Sequence, residues 1–493
     1  MKVPVIVGLA YLAGPETGFL TGASLAIRRR IHRVIISINP ATGDTIKTYA
    51  EMSPAEAAAA VVQAHQTWLG WRKTSFAQRA GPLKKTAAIL RRRKDQLARL
   101  MAAEMGKPLK QGVAEAEKCA WVCDHYADGA GRYLAPDVVK TEAASSYVAF
   151  EPLGVVLAVM PWNFPLWQVY RFAAPALMAG NTGLLKHASN VSGCALVIEE
   201  IFRQAGFPEG AFRTLLIGNP QVRAVIEHPL VRAVTLTGST PAGKAVAAQA
   251  GAVLKKTVLE LGGSDPYLVL DDADLDHAAP ICVRSRLINS GQSCIAAKRF
   301  IVAEPVLAAF TDRFVALMKA QKMGDPTTEG TEVGPQARRD LRDALHRQVL
   351  DSIAKGARLL VGGEVPAGPG AYYPPTVLAD VRPGMPAYED ELFGPVAAII
   401  GAKDEQDAVR IANDSVFGLG AAVFTRDAQR GERVPRALEA GATFVNAPVV
   451  SDPRLPFGGI KESGYGRELG SYGIKEFVNA KTVYVAAAVS TSR

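Results

Sequence analysis

Three residues, widely separated in the chain, are of types suited to chemistry at a carbonyl. Cys294 lies in "NSGQSCIAAK", a lone thiol among small polar residues. A structural cysteine usually sits among apolar side chains, whereas a reactive one needs a polar, accessible setting that favours its thiolate. Glu260, in "LELGGSDP", follows an apolar run and precedes two glycines. That puts a carboxylate at a strand end, where open α/β sheets bind their ligands; an ordinary ion-paired Glu fits the same run. Asn163, in "PWNFP" at 161–165, is pinned by two prolines directly after a strand-like run. Its amide N–H groups are suitable donors to an oxyanion, and a cap on the next helix is the plainer reading.

A fourth feature concerns phosphate. "TLTGSTPAGKAVAAQAG" places Gly238, Ser239 and Gly243 at a strand-to-helix turn, where free backbone N–H groups and the helix dipole favour a pyrophosphate. The full GxGxxG fingerprint is absent, so a plain structural turn fits as well. "GYGRELG" at Gly464 matches the spacing better but lacks a preceding strand, and is set aside as a chance match.

These residues need a scaffold, and the chain alternates short β-rich runs with longer helical ones from Ile35 onward. "ISINPATGDTIKTY" predicts a hairpin around a Pro and Gly turn. "SPAEAAAAVVQAHQTWLGW" opens with a capping box, and a helix follows from Phe76 to Met105. After Tyr147 the apolar runs "VVLAVM", "TGLLKH", "RTLLIG" and "AVTLTG" are separated by helical segments, which predicts parallel strands in a doubly wound α/β sheet. A second αβ series runs from near Glu260 to about Gly470.

Composition bounds the function. The chain has 493 residues, 48% of them hydrophobic and 21% charged, which indicates a globular protein of two or three domains. The net charge of +9 is scattered, and no basic module argues for nucleic acid. Five cysteines, an odd number, argue against a disulfide framework and for a reducing, cytoplasmic setting. Cys119 and Cys123 share a helix face but have no partners to complete a metal site, so no metal is expected. No apolar run is long enough for a membrane helix. Residues 1–34 form an atypical N-terminal extension: the apolar stretch is broken by "GPETG", with arginines after it rather than before, which makes a poor signal peptide.

The ordered set "PWNFP", "LLKHAS", "TLTGST", "LELGG", "GQSC", "ELFGP" and "PFGGIKESGYGRE" resembles the NAD(P)-dependent aldehyde dehydrogenase superfamily. "GNTGLLKHASN", "LELGGSDPYLVLDDADLD" and "AAKRFIV" look most like its bacterial succinate-semialdehyde dehydrogenase branch. The resemblance implies that Cys294 is the nucleophile, Asn163 an oxyanion donor and Glu260 the base that activates a deacylating water. It implies Lys186 at the adenosine ribose, Gly238 and Ser239 at the pyrophosphate, Glu391 at the nicotinamide ribose, and Trp162 and Phe393 beside the cofactor, which is NAD or NADP. It implies a Rossmann-type cofactor domain (35–130 and 149–259), a catalytic domain (260–470), and an oligomerisation element (131–148 and 471–493) that builds a homodimer or homotetramer.

The chain departs from the family pattern at two places. Strongly NAD-selective members carry a Glu three positions after the lysine; here that position is Ser189, which removes repulsion of a 2′-phosphate and lets NADP bind. Succinate-semialdehyde enzymes hold the substrate carboxylate with two arginines and a serine. Arg171 and Ser451 match one arginine and the serine, whereas the other arginine falls on Ile288, with Arg286 as the nearest replacement. The expected partner is therefore a small aldehyde. The rival readings are an aldehyde dehydrogenase for another aliphatic or aromatic aldehyde, a CoA-acylating relative, which would not need Glu260, and a Cys-dependent thioester hydrolase or acyltransferase without redox chemistry.

Overall fold

The computed structural model describes residues 34–487. The extension expected over residues 1–34 lies outside them except for Val34, as do the last residues of the 471–493 segment. The predicted hairpin is present, with Val34–Ile38 antiparallel to Thr45–Ala50. Ser53 and Glu56 form both bonds of the capping box at the start of helix Pro54–Trp71. A second box, Ser75 with Gln78, starts the 30-residue helix Phe76–Met105, which ends at Gly106 with φ 78°. Helix Leu109–Tyr133 packs back against it. It runs past residue 131, so the start of the expected oligomerisation element falls in its last turn.

The first large sheet has five parallel strands. Val155–Met160, Val231–Thr237 and Thr182–His187 form its middle, with Phe212–Thr214 on one side and Lys256–Glu260 on the other. Buried on both faces, the central strands carry the continuous Val, Leu and Ala runs that parallel sheets require. From Val155–Met160 the chain winds outward through Thr182–His187 to Phe212–Thr214. It then crosses back to lay Val231–Thr237 on the opposite side of Val155–Met160. The reversal leaves a crevice at the carboxyl ends of these two neighbours, the position where doubly wound sheets bind ligands. Asn163 follows one of those ends and the Gly238–Ser239 turn follows the other.

The second sheet has seven strands, six of them parallel, built from residues between Pro266 and Val445. Arg358–Val361 closes one edge antiparallel. A third sheet pairs Ser145–Pro152 with Val478–Val485 over eight antiparallel positions, and Asp137–Val138 joins its other side. Among the described residues no helix is long and apolar enough to cross a membrane, and no group of three or more His, Cys, Asp or Glu is placed to hold a metal.

Candidate active site

Cys294 is carried by a loop of unusual backbone shape. Helix Leu275–Leu287 gives way to three successive left-handed residues, Asn289 (φ 54°), Ser290 (φ 56°) and Gly291 (φ 77°). A left-handed residue with a side chain costs on the order of 1–3 kcal/mol and persists where its surroundings over-determine it. Here they do. The Asn289 N–H donates to Gln111 Oε1 at 2.6 Å, its amide Nδ2 donates to the Asn163 carbonyl at 2.7 Å, and Ser290 Oγ accepts from the Gly334 N–H at 2.9 Å. At Gly291 a Cβ would lie 2.2 Å from the Gly394 carbonyl group, so only glycine fits.

The oxyanion candidate is tied to the same loop. Asn163 Nδ2 donates one N–H to the Gln292 carbonyl at 3.1 Å, which leaves its second N–H to serve a ligand. The capping alternative fails, because the following helix is Trp167–Ala179 and Glu115 Oε1 accepts the N–H groups of both Leu166 and Trp167 at 2.9 Å.

Glu260 closes its strand with its side chain 1% exposed, and neither carboxylate oxygen finds a hydrogen-bond partner among the described residues. Burial holds its carboxyl well above the usual range; Arg171 opposes that shift and Glu468 adds to it. The ion-pair alternative therefore fails for Glu260 and holds for its neighbour, because Arg171 pairs with Glu468 and lies 4.7 Å over the Phe457 ring. The two glycines after Glu260 exist for close approach. A Cβ on Gly262 would sit 2.7 Å from the Glu391 carboxylate, and one on Gly263 would sit 2.8 Å from the Cys294 carbonyl oxygen. Cys294 itself is half-buried. Burial pushes its thiol up to about 12, against the pull of Arg171 and Lys298.

A cavity of about 410 Å³ opens beside Cys294, with Lys118, Trp167, Arg171, Ser451 and Phe457 in its wall. Ser451 Oγ accepts from Lys118 Nζ at 2.7 Å. Arg286 does not line the cavity. It is fully buried and donates to the Gly291 carbonyl at 2.7 Å. With its guanidinium committed to the Gly291 carbonyl and its side chain outside the cavity wall, Arg286 does not stand in for the arginine missing at Ile288, which does face the cavity.

On the sheet side the residues present fit a dinucleotide. Ser239 is the N-cap residue of helix Thr240–Ala252 and makes no side-chain cap bond, so first-turn N–H groups are free for a phosphate. Gly238 leaves open space over them, since a Cβ there would meet only Leu236 at 3.5 Å. Lys186 Nζ donates to Asn219 Oδ1 at 2.8 Å, and burial lowers its pKa. Ser189 opens a short 3₁₀ turn and is exposed. Glu391 accepts from the Gly263 N–H at 3.1 Å and lies 3.4 Å from Lys298. The Trp162 and Phe393 rings meet edge to face, 5.7 Å apart.

Residues 28–483 match the family described as "Aldehyde dehydrogenase family". The chain belongs to the aldehyde dehydrogenase family. A "Probable succinate-semialdehyde dehydrogenase [NADP(+)]" of Synechocystis sp. is 53% identical over 452 residues, covering 92% of this chain and 100% of that protein. The "Succinate-semialdehyde dehydrogenase [NADP(+)]" of Mycolicibacterium paratuberculosis is 52% identical, over 92% of this chain and 98% of that one. Among solved structures, the succinic semialdehyde dehydrogenase from Streptococcus pyogenes in complex with NADP+ superposes with a TM-score of 0.90 at 37% identity, over 92% of this chain and 100% of that one.

Within this aldehyde dehydrogenase fold, three side chains at the site escaped the sequence reading. Lys298 is 1% exposed and donates to the carbonyls of Ser293 (2.9 Å) and Cys294 (2.6 Å), so it fixes the nucleophile's own peptide. Its signal is a lysine four residues past the cysteine in "AAKRFIV". Glu468, the partner of Arg171, belongs to "GYGRELG", the motif set aside as a chance match. Lys118 reads in the sequence as an ordinary helix lysine, and only the packing of Leu109–Tyr133 brings it to the cavity.

Proposed function

We propose that this chain oxidises succinate semialdehyde to succinate with NADP+ and that Cys294, Asn163 and Glu260 carry the chemistry. The observation behind this reading is their convergence: the Asn163 and Cys294 loops are hydrogen-bonded to each other, and Glu260 is buried within electrostatic reach of Cys294. A hydride cannot leave the carbon of a free aldehyde until a nucleophile has made that carbon tetrahedral, and a thiolate serves this best. The Cys294 sulfur adds to the carbonyl carbon, and the oxyanion is held by the second N–H of Asn163 and the backbone N–H of Cys294. When bound, NADP+ supplies the acceptor for the hydride that the tetrahedral carbon releases. Glu260 then takes a proton from the water that hydrolyses the Cys294 thioester.

The cofactor side is assigned to the five-stranded parallel region, with phosphates at the Ser239 helix start, the adenosine ribose at Lys186 and the nicotinamide ribose at Glu391. Trp162 and Phe393 wall the nicotinamide end. Arg171 and Ser451 belong to the substrate side, where Arg171 acts through a field already shared with Glu468. Strand Val478–Val485 lies at a sheet edge with Tyr484 56% exposed. Such an edge invites pairing with a second copy, and light scattering is expected to give a dimer or tetramer rather than a monomer.

The function is tested by steady-state rates on a panel of aldehydes, with and without a distal carboxylate, using both cofactors. Succinate semialdehyde with NADP+ is expected to give the highest kcat/KM. In the same panel, Ser189→Glu is expected to weaken NADP+ binding by about 1–3 kcal/mol, the scale of a close unfavourable charge or lost hydrogen bond, and NAD+ binding much less. A wild type that used only NAD+ would remove Ser189 from the cofactor site. No reduced nicotinamide with any aldehyde would leave the thioester hydrolase reading.

A further inference from the structure

Three cationic side chains line the cavity beside Cys294: Arg171, Arg284 and Lys118. Arg171 is neutralised by Glu468, and Arg284 is exposed. Lys118 is half-buried on helix Leu109–Tyr133 and has no carboxylate partner among the described residues, its hydrogen bond going to Ser451 Oγ at 2.7 Å. The nearest acidic groups are committed elsewhere. Glu115 pairs with Lys107 and accepts two backbone N–H groups, and Asp452 pairs with Arg454 at 2.6 Å.

An ammonium has three N–H donors, and one is used. Two remain, together with the Ser451 hydroxyl proton, which is free because that oxygen accepts from Lys118. The face of Trp167 lies 4.3 Å from Lys118 Nζ and holds the cation by its ring quadrupole. A cation and a hydroxyl side by side, in the wall of a pocket that contains the nucleophile, form a receptor for a carboxylate. Burial, with Arg171 nearby, lowers the Lys118 pKa to about 8; an arriving carboxylate opposes that shift.

We infer that Lys118, together with Ser451, binds the distal carboxylate of the substrate and sets the preference for carboxylated aldehydes. This rests on the succinate-semialdehyde reading above. It also explains how the site takes an acidic substrate with Ile288 at the second arginine position and Arg171 already paired.

The test measures kcat/KM for succinate semialdehyde and for butanal with NADP+, and competitive inhibition by succinate, in wild type, Lys118→Met and Lys118→Arg. In Lys118→Met the ratio of charged to neutral kcat/KM is expected to fall at least about 30-fold, and the succinate inhibition constant to rise comparably, the scale for losing a partner of a desolvated charge. Lys118→Arg is expected to keep most of the ratio. NADP+ affinity reports whether each variant is folded; should Lys118→Met fail that check, Lys118→Gln is read in its place. If wild type prefers succinate semialdehyde and the neutral variant keeps that ratio, the Lys118 assignment is wrong while the proposed function stands. If wild type shows no preference for the charged aldehyde, the substrate reading itself is wrong, and this inference goes with it.

Discussion

Cys294→Ala is expected to lower kcat with succinate semialdehyde at least about 10³-fold while leaving NADP+ affinity nearly unchanged. The magnitude follows from the role: without the thiol nothing makes the aldehyde carbon tetrahedral, and removing a covalent nucleophile costs orders of magnitude in rate. The binding result follows from position, because the phosphate and adenosine contacts proposed at Ser239 and Lys186 lie on the parallel-sheet side, outside the wall that carries Cys294. The thiol's own titration gives a second reading. With its pKa raised by burial to about 12, the thiol form dominates at neutral pH in the cofactor-free protein, and the reactive thiolate grows as pH rises. Alkylation of Cys294 in the cofactor-free protein should therefore be slow at neutral pH and accelerate steadily into the alkaline range. Activity near the wild-type rate in Cys294→Ala ends the assignment.

Glu260→Gln separates the two halves of the reaction. Turnover is expected to fall about 10²- to 10⁴-fold, the usual contribution of a positioned general base. A single burst of reduced cofactor, stoichiometric with enzyme, should survive, because hydride release precedes hydrolysis. The pH dependence follows from the sign of the shift. Burial raises the carboxyl pKa, and only the ionised form accepts a proton from water. Deacylation in wild type should thus climb as pH rises through that raised pKa, and the climb should vanish in Glu260→Gln. Unchanged steady-state turnover would take Glu260 out of the mechanism. Loss of the burst as well would mean that Glu260 also draws the proton from Cys294.

For Cys294, Asn163 and Glu260 the local strings left plainer alternatives open, a helix cap for Asn163 and an ion pair for Glu260, and it was the ordered set of motifs along the chain that singled the three out together. The parallel strands were legible from their continuous apolar runs. Their order was not. That Val231–Thr237 crosses back to the far side of Val155–Met160, and so opens the crevice, is a property of packing that no local pattern encodes. The same holds for charge. Arg171 reads as a free guanidinium in the sequence, and its neutralisation by Glu468 depends on a strand pair at the sheet edge, Gly464–Tyr465 against Leu259 and Glu260, that brings "GYGRELG" beside it. Arg286 is near Ile288 in sequence, but its side chain turns into the core to the Gly291 carbonyl, a direction that sequence proximity does not encode.

The three left-handed residues ahead of Cys294 bear on how the protein comes to be active. Their anchors are distant in the chain: Gln111 is 178 positions from Asn289, Asn163 is 126 positions away, and Gly334 is 44 positions from Ser290. Each of these contacts closes a long loop, and the entropy of closing it must be met by the rest of the fold. Until they close, the backbone has no reason to hold a left-handed run, and the thiol has neither its Asn163 neighbour nor the Lys298 clamp on its carbonyl. Catalytic competence is therefore a property of the assembled tertiary structure and not of the cysteine's local sequence.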